Sequence, residues 1–229
     1  MAYAPRTIAF VCELMHPPLV PEPGPVQRMH NRMFQTGSPL YRSFTVAANG
    51  AVLSNPVAQP NAVSSVGFLA DRFQFREEFT GLTTEDFSAR VRDVTRMAVE
   101  ERPVPLFTAQ VVTIRTLINP RHFRDSRSFM KEGLLGFDEE LATFDRESQL
   151  FGLRMVFPPT GDEPWAFSLR VESFANDPRS LFLENQGTFG PQVGPAGIEM
   201  LERNVAATYD FIVQRALPFL RHFDLRQQA

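Results

Sequence analysis

Five basic side chains and a histidine crowd into the span 115–131: Arg115, Arg121, His122, Arg124, Arg127 and Lys131. Asp125 is the one acid within it, and Phe123 and Phe129 are interleaved. Guanidinium groups at this density suit a small anion, because each presents a planar fork of donors to a carboxylate or phosphate. Basic groups alternating with rings would also suit single-stranded nucleic acid, tracking phosphates and stacking on bases. The acids that follow, Asp138, Glu139, Glu140 and Asp145, nearly cancel the charge. That balance disfavours nucleic acid and fits a solvated, internally paired segment. Arg115, Arg121, His122, Arg124 and Arg127 remain as the candidate ligand-binding residues, for a small anion or for a partner's acidic surface.

Other chemistries find less support. The four histidines, His16, His30, His122 and His222, form no His-Glu-x-x-His pattern. Cys12, His16 and His30 are the one conceivable metal set, but Cys12 lies among Ile8, Phe10 and Leu14, where a buried, inert thiol is expected. No metal and no cofactor are expected. There is no Gly-x-Ser-x-Gly elbow. Lys131 is the single lysine and sits in Ser-Phe-Met-Lys-Glu-Gly, which fits neither a Walker A loop nor a Schiff-base pocket. Glu77 and Glu78 are neighbours on a strand and point to opposite faces, so they could not flank one bond. Glu77 falls on a phenylalanine face. With Gly81 close behind, it is read as the frayed strand end, the alternative being a partly buried carboxylate of raised pKa.

The whole chain sets the context. Its 229 residues, 43% hydrophobic and with a net charge of −3, are enough for a sizeable core and give no global attraction to nucleic acid or anionic membranes. One cysteine excludes an intramolecular disulfide. Arginine outnumbers lysine 22 to 1, as the codon usage of a high-GC genome would produce. Neither a signal peptide nor a membrane span is apparent, and a bacterial cytoplasmic protein is expected.

The elements that must position these residues follow from periodicity. Arg6–Met15 alternates as a strand, a proline run leads into a helix over Pro25–Gln35 with Val26, Met29 and Met33 on one stripe, and Tyr41–Val46 is a short strand before the Asn49-Gly50 turn. Val66–Phe79 reads as one long strand. Thr83 or Thr84 caps a helix whose buried stripe is Phe87, Val91, Val94 and Ala98, with Pro103 and Pro105 beyond its end and Arg90, Arg92 and Arg96 facing water. A β-branched strand covers Leu106–Ile118. Short helices are expected at Ser126–Lys131 and Asp138–Phe144. Strands at Gln149–Phe157, Trp165–Phe174 and Ser180–Gln186 form a meander, and an amphipathic helix from Pro195 closes the chain, interrupted at Pro218. The pattern predicts an α+β fold: a long, mostly antiparallel sheet with helices on one face and a C-terminal amphipathic helix. The chain reads as one domain, 1–229, or as two tightly packed halves, 1–102 and 103–229. A strand-helix-strand-strand unit could occur twice, although no self-similarity of sequence marks it.

The strand Val112-Thr113-Ile114-Arg115-Thr116-Leu117-Ile118-Asn119, preceded by Leu69-Ala70-Asp71-Arg72-Phe73 and followed by Phe167–Phe174 and Asp177-Pro178-Arg179-Ser180, resembles a sporadically distributed, uncharacterised bacterial and archaeal family of α+β proteins over roughly residues 66–217. The resemblance implies no catalytic residue. The reading is therefore a binding or interaction protein without a recognisable catalytic constellation, self-associating or bound to another protein. The alternative is an enzyme or sensor whose small anionic ligand is held between Arg115 and Lys131.

Overall fold

The computed structural model describes residues 3–225 apart from Ser38, Ala58, Pro103 and Asp138, and not the side chains of Glu139, Glu140 and Pro195. Nine antiparallel strands make one sheet: β1 (Arg6–Met15), β2 (Ser43–Ala47), β3 (Gly50–Ser54), β4 (Val63–Leu69), β5 (Arg72–Glu78), β6 (Ala109–Ile118), β7 (Gly152–Phe157), β8 (Ala166–Ser173) and β9 (Leu181–Phe189), in the order β2-β3-β4-β5-β1-β6-β9-β8-β7. The helices are α1 (Pro23–Gln35), α2 (Thr84–Glu101), α3 (Ser126–Ser128, continued by a π turn at Phe129–Leu134), α4 (Gly194–Phe211) and α5 (Leu217–Leu225).

They cover one face. Phe10, Cys12 and Leu14 of β1, Phe73 and Phe75 of β5, and Val112 and Ile114 of β6 are buried there. Phe10 stacks on Phe87 of α2 at 5.0 Å. α4 is held by polar contacts: the Gln110 amide donates to the Leu201 carbonyl (3.1 Å), Asn204 to Gln110 (2.8 Å) and Asn185 to the Thr208 carbonyl (2.9 Å). Each buried phenylalanine contributes about 1.5–3 kcal/mol of transfer free energy. The opposite face carries half-exposed charges paired across strands, among them Arg72 with Glu13 (3.0 Å) and Arg115 with Glu184 (2.7 Å).

The order of elements repeats. β1-α1-β3-β4-β5-α2 and β6-α3-β7-β8-β9-α4 have the same connectivity, with β2 an addition to the first. In each half the first strand pairs with the last, and β1 pairs antiparallel with β6 at the centre. Two ion pairs tie the helices across the same seam, Arg92 with Glu202 and Arg96 with Glu199, so α2 and α4 also run antiparallel. The two units are thus related by an approximate two-fold rotation.

Several local readings change. Val66–Phe79 is two strands, not one. The chain reverses at Ala70-Asp71 without glycine or proline, because the His16 and Leu19 N–H groups bond the Asp71 and Ala70 carbonyls (both 2.8 Å) and replace local turn chemistry with tertiary contacts. β3 was not foreseen beyond the Asn49-Gly50 turn. Gly50 adopts φ +147°, and a Cβ there would meet the Phe68 carbonyl oxygen at 2.2 Å. Thr83 caps α2, accepting from the Asp86 N–H (3.1 Å), and Pro103 lies outside the described residues. Arg90 and Arg92 are only partly exposed and pair with Glu77 and Glu202. Pro218 does not end the helix: the chain widens into a π turn at Ile212–Ala216, which accommodates the proline ring and the missing N–H, and α5 continues to Leu225.

Candidate functional site

The basic span divides four ways. Arg115 lies on the open sheet face, bonded to its cross-strand partner Glu184. Arg121 and His122 follow β6, where their backbone N–H groups donate to the buried Asp224 carboxylate of α5 at 2.9 and 3.0 Å. Arg124 is 90% exposed, with a loose pair to Asp125 at 3.4 Å. Arg127 turns toward a different space and meets Lys131 there. The interleaved rings belong to the packing: Phe129 is buried, and Phe123 meets it edge-on at 5.3 Å. Of the acids expected to balance the span, Asp138 and the side chains of Glu139 and Glu140 lie outside the described residues.

The space reached by Arg127 and Lys131 is a cavity of about 680 Å3, within the range of small-molecule sites. Asp125 starts its first wall as the N-cap of α3, accepting from the Ser128 N–H at 2.7 Å, and that bond holds the Asp125 carboxyl below its usual range. The Ser126 N–H donates to the Pro178 carbonyl (2.7 Å), and the buried Phe129 and Met130 anchor the π turn, leaving Lys131 on the cavity side. The turn approaches Phe123 so closely that a Cβ at Gly133 would lie 2.7 Å from its ring. The second wall is the 3-10 turn Glu139–Phe144 and the connection to β7, contributing Leu141, Phe144 and Arg146. Phe151 lies beneath, nearly buried, with the Arg127 guanidinium 6.0 Å above its ring.

Three cations, Arg127, Lys131 and Arg146, thus line the cavity with Asp145 and Glu147. Arg127 pairs with Glu147 at 3.3 Å, while Lys131 and Arg146 have no ion pair among the described residues. The lining offers an apolar floor and an excess of one positive charge, three cations against Asp145 and Glu147, and Ser148 uses its hydroxyl on the Leu150 carbonyl (2.9 Å). Such a site can bind an anion with an apolar body. Periodicity could not find Arg146, Phe144 and Phe151; the charged run Asp145-Arg146-Glu147 was the one local signal.

The two halves differ at this place in the connectivity. Between β1 and β2, α1 is a continuous helix that buries Val26, Met29 and Met33 in the core. Between β6 and β7, the chain breaks into α3, a π turn and a 3-10 turn, and the cavity lies among them.

A second polar cluster lies inside the fold. Glu77 is fully buried and stays in the ladder opposite Phe10 and Ser64, so the strand does not fray there. Its Oε1 accepts from Arg90 (2.5 Å) and the Ser64 hydroxyl (2.9 Å). Burial pushes its pKa up, and Arg90, Ser64 and Thr80 oppose that rise. Arg90 also lies over the Tyr41 ring at 5.4 Å. Cys12 is buried beside the Gln110 amide, with its pKa pushed up to about 12 by burial. Among the described residues no group of three His, Cys, Asp or Glu side chains could hold a metal ion, and Cys12, His16 and His30 are not brought together as one. Among the same residues no helix is long and apolar enough to cross a membrane. No family model matches the chain, and no curated protein or solved structure matches it either.

Proposed function

We propose that this chain is a binding protein for a small organic anion with an apolar body, held in the cavity of Arg127, Lys131 and Arg146. The supporting observation is the lining: three cations against two carboxylates, with Lys131 and Arg146 free of an ion pair among the described residues, stand around an apolar floor of Phe151 and a wall of Leu141 and Phe144. A carboxylate would take the Lys131 ammonium and the Arg146 guanidinium, while its apolar part covers Phe151 and Phe144. A charge-assisted hydrogen bond at such a site contributes about 1.5–3 kcal/mol, roughly tenfold or more in affinity. Kinship with the uncharacterised α+β family, and a cytoplasmic setting that keeps Cys12 a thiol, belong to the same reading.

Calorimetry with octanoate and with octanol tests it. Octanoate should bind saturably at one site per chain, octanol far more weakly, and Lys131→Ala or Arg146→Gln should each weaken octanoate by about tenfold. Equal binding of the two probes, no saturable binding of octanoate, or indifference to both substitutions would refute it.

A second reading, self-association, is favoured by edge strand β7, where Val156 is 64% exposed and one backbone side has no strand partner among the described residues. Light scattering across a concentration series decides it; a monomer throughout ends that reading.

A further inference from the structure

Where β1 begins and β6 ends, three hollows of about 380, 130 and 330 Å3 share Tyr3 as a common wall. Arg6 and Arg121 line the first, Arg121 and Arg221 the second, and Arg221 the third. None of these three guanidinium groups has an ion pair among the described residues. The carboxylates nearby are already engaged by uncharged donors. Asp224 takes the Tyr3 hydroxyl (2.6 Å) and the backbone N–H groups of Arg121 and His122 (2.9 and 3.0 Å). Asp177, close enough to feel Arg6 and Arg179, takes the Ser180 hydroxyl (2.6 Å) and the Arg179 N–H (3.2 Å). Hydroxyl and amide groups therefore satisfy the oxygens of these two acids without cancelling their charge, and the three guanidinium forks, in excess of the two carboxylates, keep their donors free of an ion pair among the described residues. Arginine forks around a concave space favour an anion with several equivalent oxygens.

We propose that this end of the molecule binds a compact tetrahedral oxyanion of the phosphate class, free or as a monoester. Arg121, shared by the two adjoining hollows, is the central contact, with Arg6 and Arg221 on either side. The 380 Å3 hollow, lined by Arg6 and Arg121 and by no carboxylate, takes the oxyanion and has room for the organic part of a monoester, while the small hollow beside it is lined by the Asp224 carboxylate as well as by Arg221. The site shares no lining residue with the cavity of Arg127 and Lys131 and does not depend on that reading.

Titration calorimetry and thermal melts of the full chain test it, with inorganic phosphate and glycerol 3-phosphate as probes and sodium chloride at matched ionic strength as the control. Phosphate should bind saturably at one site per chain and raise Tm, which chloride should not do. Arg121→Gln should weaken phosphate binding by about tenfold, a factor expected for one lost guanidinium contact. Arg6→Gln and Arg221→Gln should each weaken it by a smaller factor. Arg124→Gln and Arg146→Gln, outside these hollows, should leave it unchanged. Tighter binding of glycerol 3-phosphate assigns the monoester, and tighter binding of inorganic phosphate assigns the free ion. If Arg121→Gln does not fold, Arg121→Lys carries the test, since it keeps the charge, loses the fork and should bind more weakly. Absence of saturable binding by both probes, a Tm rise reproduced by chloride, or equal weakening by Arg124→Gln and Arg121→Gln would overturn the proposal.

Discussion

Replacing Arg90 by Met probes the one fully enclosed charge, among the described residues, that this sheet places beneath a helix. Glu77 has no exposed side-chain surface, whereas the Arg90 side chain keeps 17% of its own. Arg90→Met removes the only cation paired with Glu77 among the described residues and leaves the Ser64 hydroxyl as a neutral donor. Stranding a buried charge in this way costs about 3–5 kcal/mol. The lower end applies here, because Arg90 reaches solvent and the chain can relax around it. Loss of the stack on Tyr41 adds about 0.5–1 kcal/mol. The cost must depend on pH. The folded pKa of Glu77 is raised, so as pH rises above the ordinary 4.5 the unfolded chain releases this proton before the folded chain does, and stability falls until the folded value is passed. Without Arg90 the folded value rises further and the falling window widens, at a slope of up to about 1.4 kcal/mol per pH unit. Urea unfolding from pH 4.5 to 7.5 should therefore show a small cost at the acid end that grows to about 3–4 kcal/mol at neutrality. Removing both charges, Glu77→Met with Arg90→Met, should recover most of that loss. A cost below about 1 kcal/mol at pH 7, a cost independent of pH, or a double variant as unstable as the single one would refute this account.

Three further outcomes follow from individual groups. His16 is 4% exposed, and burial, with the charge of Arg102, lowers its pKa below 6.5; its NMR titration midpoint should lie below 6.5, and stability should fall as pH drops from 6.5 toward that midpoint, whereas a midpoint at or above 6.5 contradicts the burial argument. The Cys12 thiol should not react with a disulfide reagent in the native state and should react on unfolding, so rapid labelling of the folded chain would disprove its burial. Tyr3→Phe removes the hydroxyl that bonds the buried Asp224 at 2.6 Å and should cost about 1.5–3 kcal/mol in urea unfolding, with a change under about 0.5 kcal/mol counting against that bond.

Strands and helices were legible wherever one face is buried, because a two- or 3.6-residue period then marks the sequence. Arg6–Met15 and the stripes Val26-Met29-Met33 and Phe87-Val91-Val94-Ala98 stand as read, as do the α+β class and the C-terminal helix. Legibility failed where distant residues act. The Ala70-Asp71 turn is made by N–H groups from residues 16 and 19, and the π turn that absorbs Pro218 has no local signature. Glu77 read as a frayed end because Arg90, its partner, sits on another element at a position that periodicity assigns to solvent. The basic span failed differently. Its arginines are close in sequence, but β6 carries Arg115 on one face and the chain then leaves the sheet, so Arg121 and Arg127 face separate hollows.

The duplicated connectivity explains both why no repeat was visible and where the proposed cavity falls. The sheet face toward the helices is Phe73, Phe75 and Glu77 on β5 but Leu183, Asn185 and Gly187 on β9. The helices above them bury Val91, Val94 and Ala98 in α2 but Leu201, Asn204 and Thr208 in α4. Packing constrains burial and summed volume and leaves identity free, and each half closes its own polar set, Glu77 with Arg90 in one and Gln110 with Asn204 in the other. Gly187 illustrates the exchange: a Cβ there would meet the Thr208 hydroxyl at 2.5 Å, so the larger helix residue requires the smaller strand residue. Two such halves can lose all sequence likeness while keeping pairing and helix order. A segment released from that constraint diverges most. The stretch between β6 and β7 does not repeat the continuous helix of α1, and its short turns surround a hollow lined with cations instead of filling it. A sequence change there can retune a ligand site without disturbing the central β1–β6 seam, which lies in another part of the sheet.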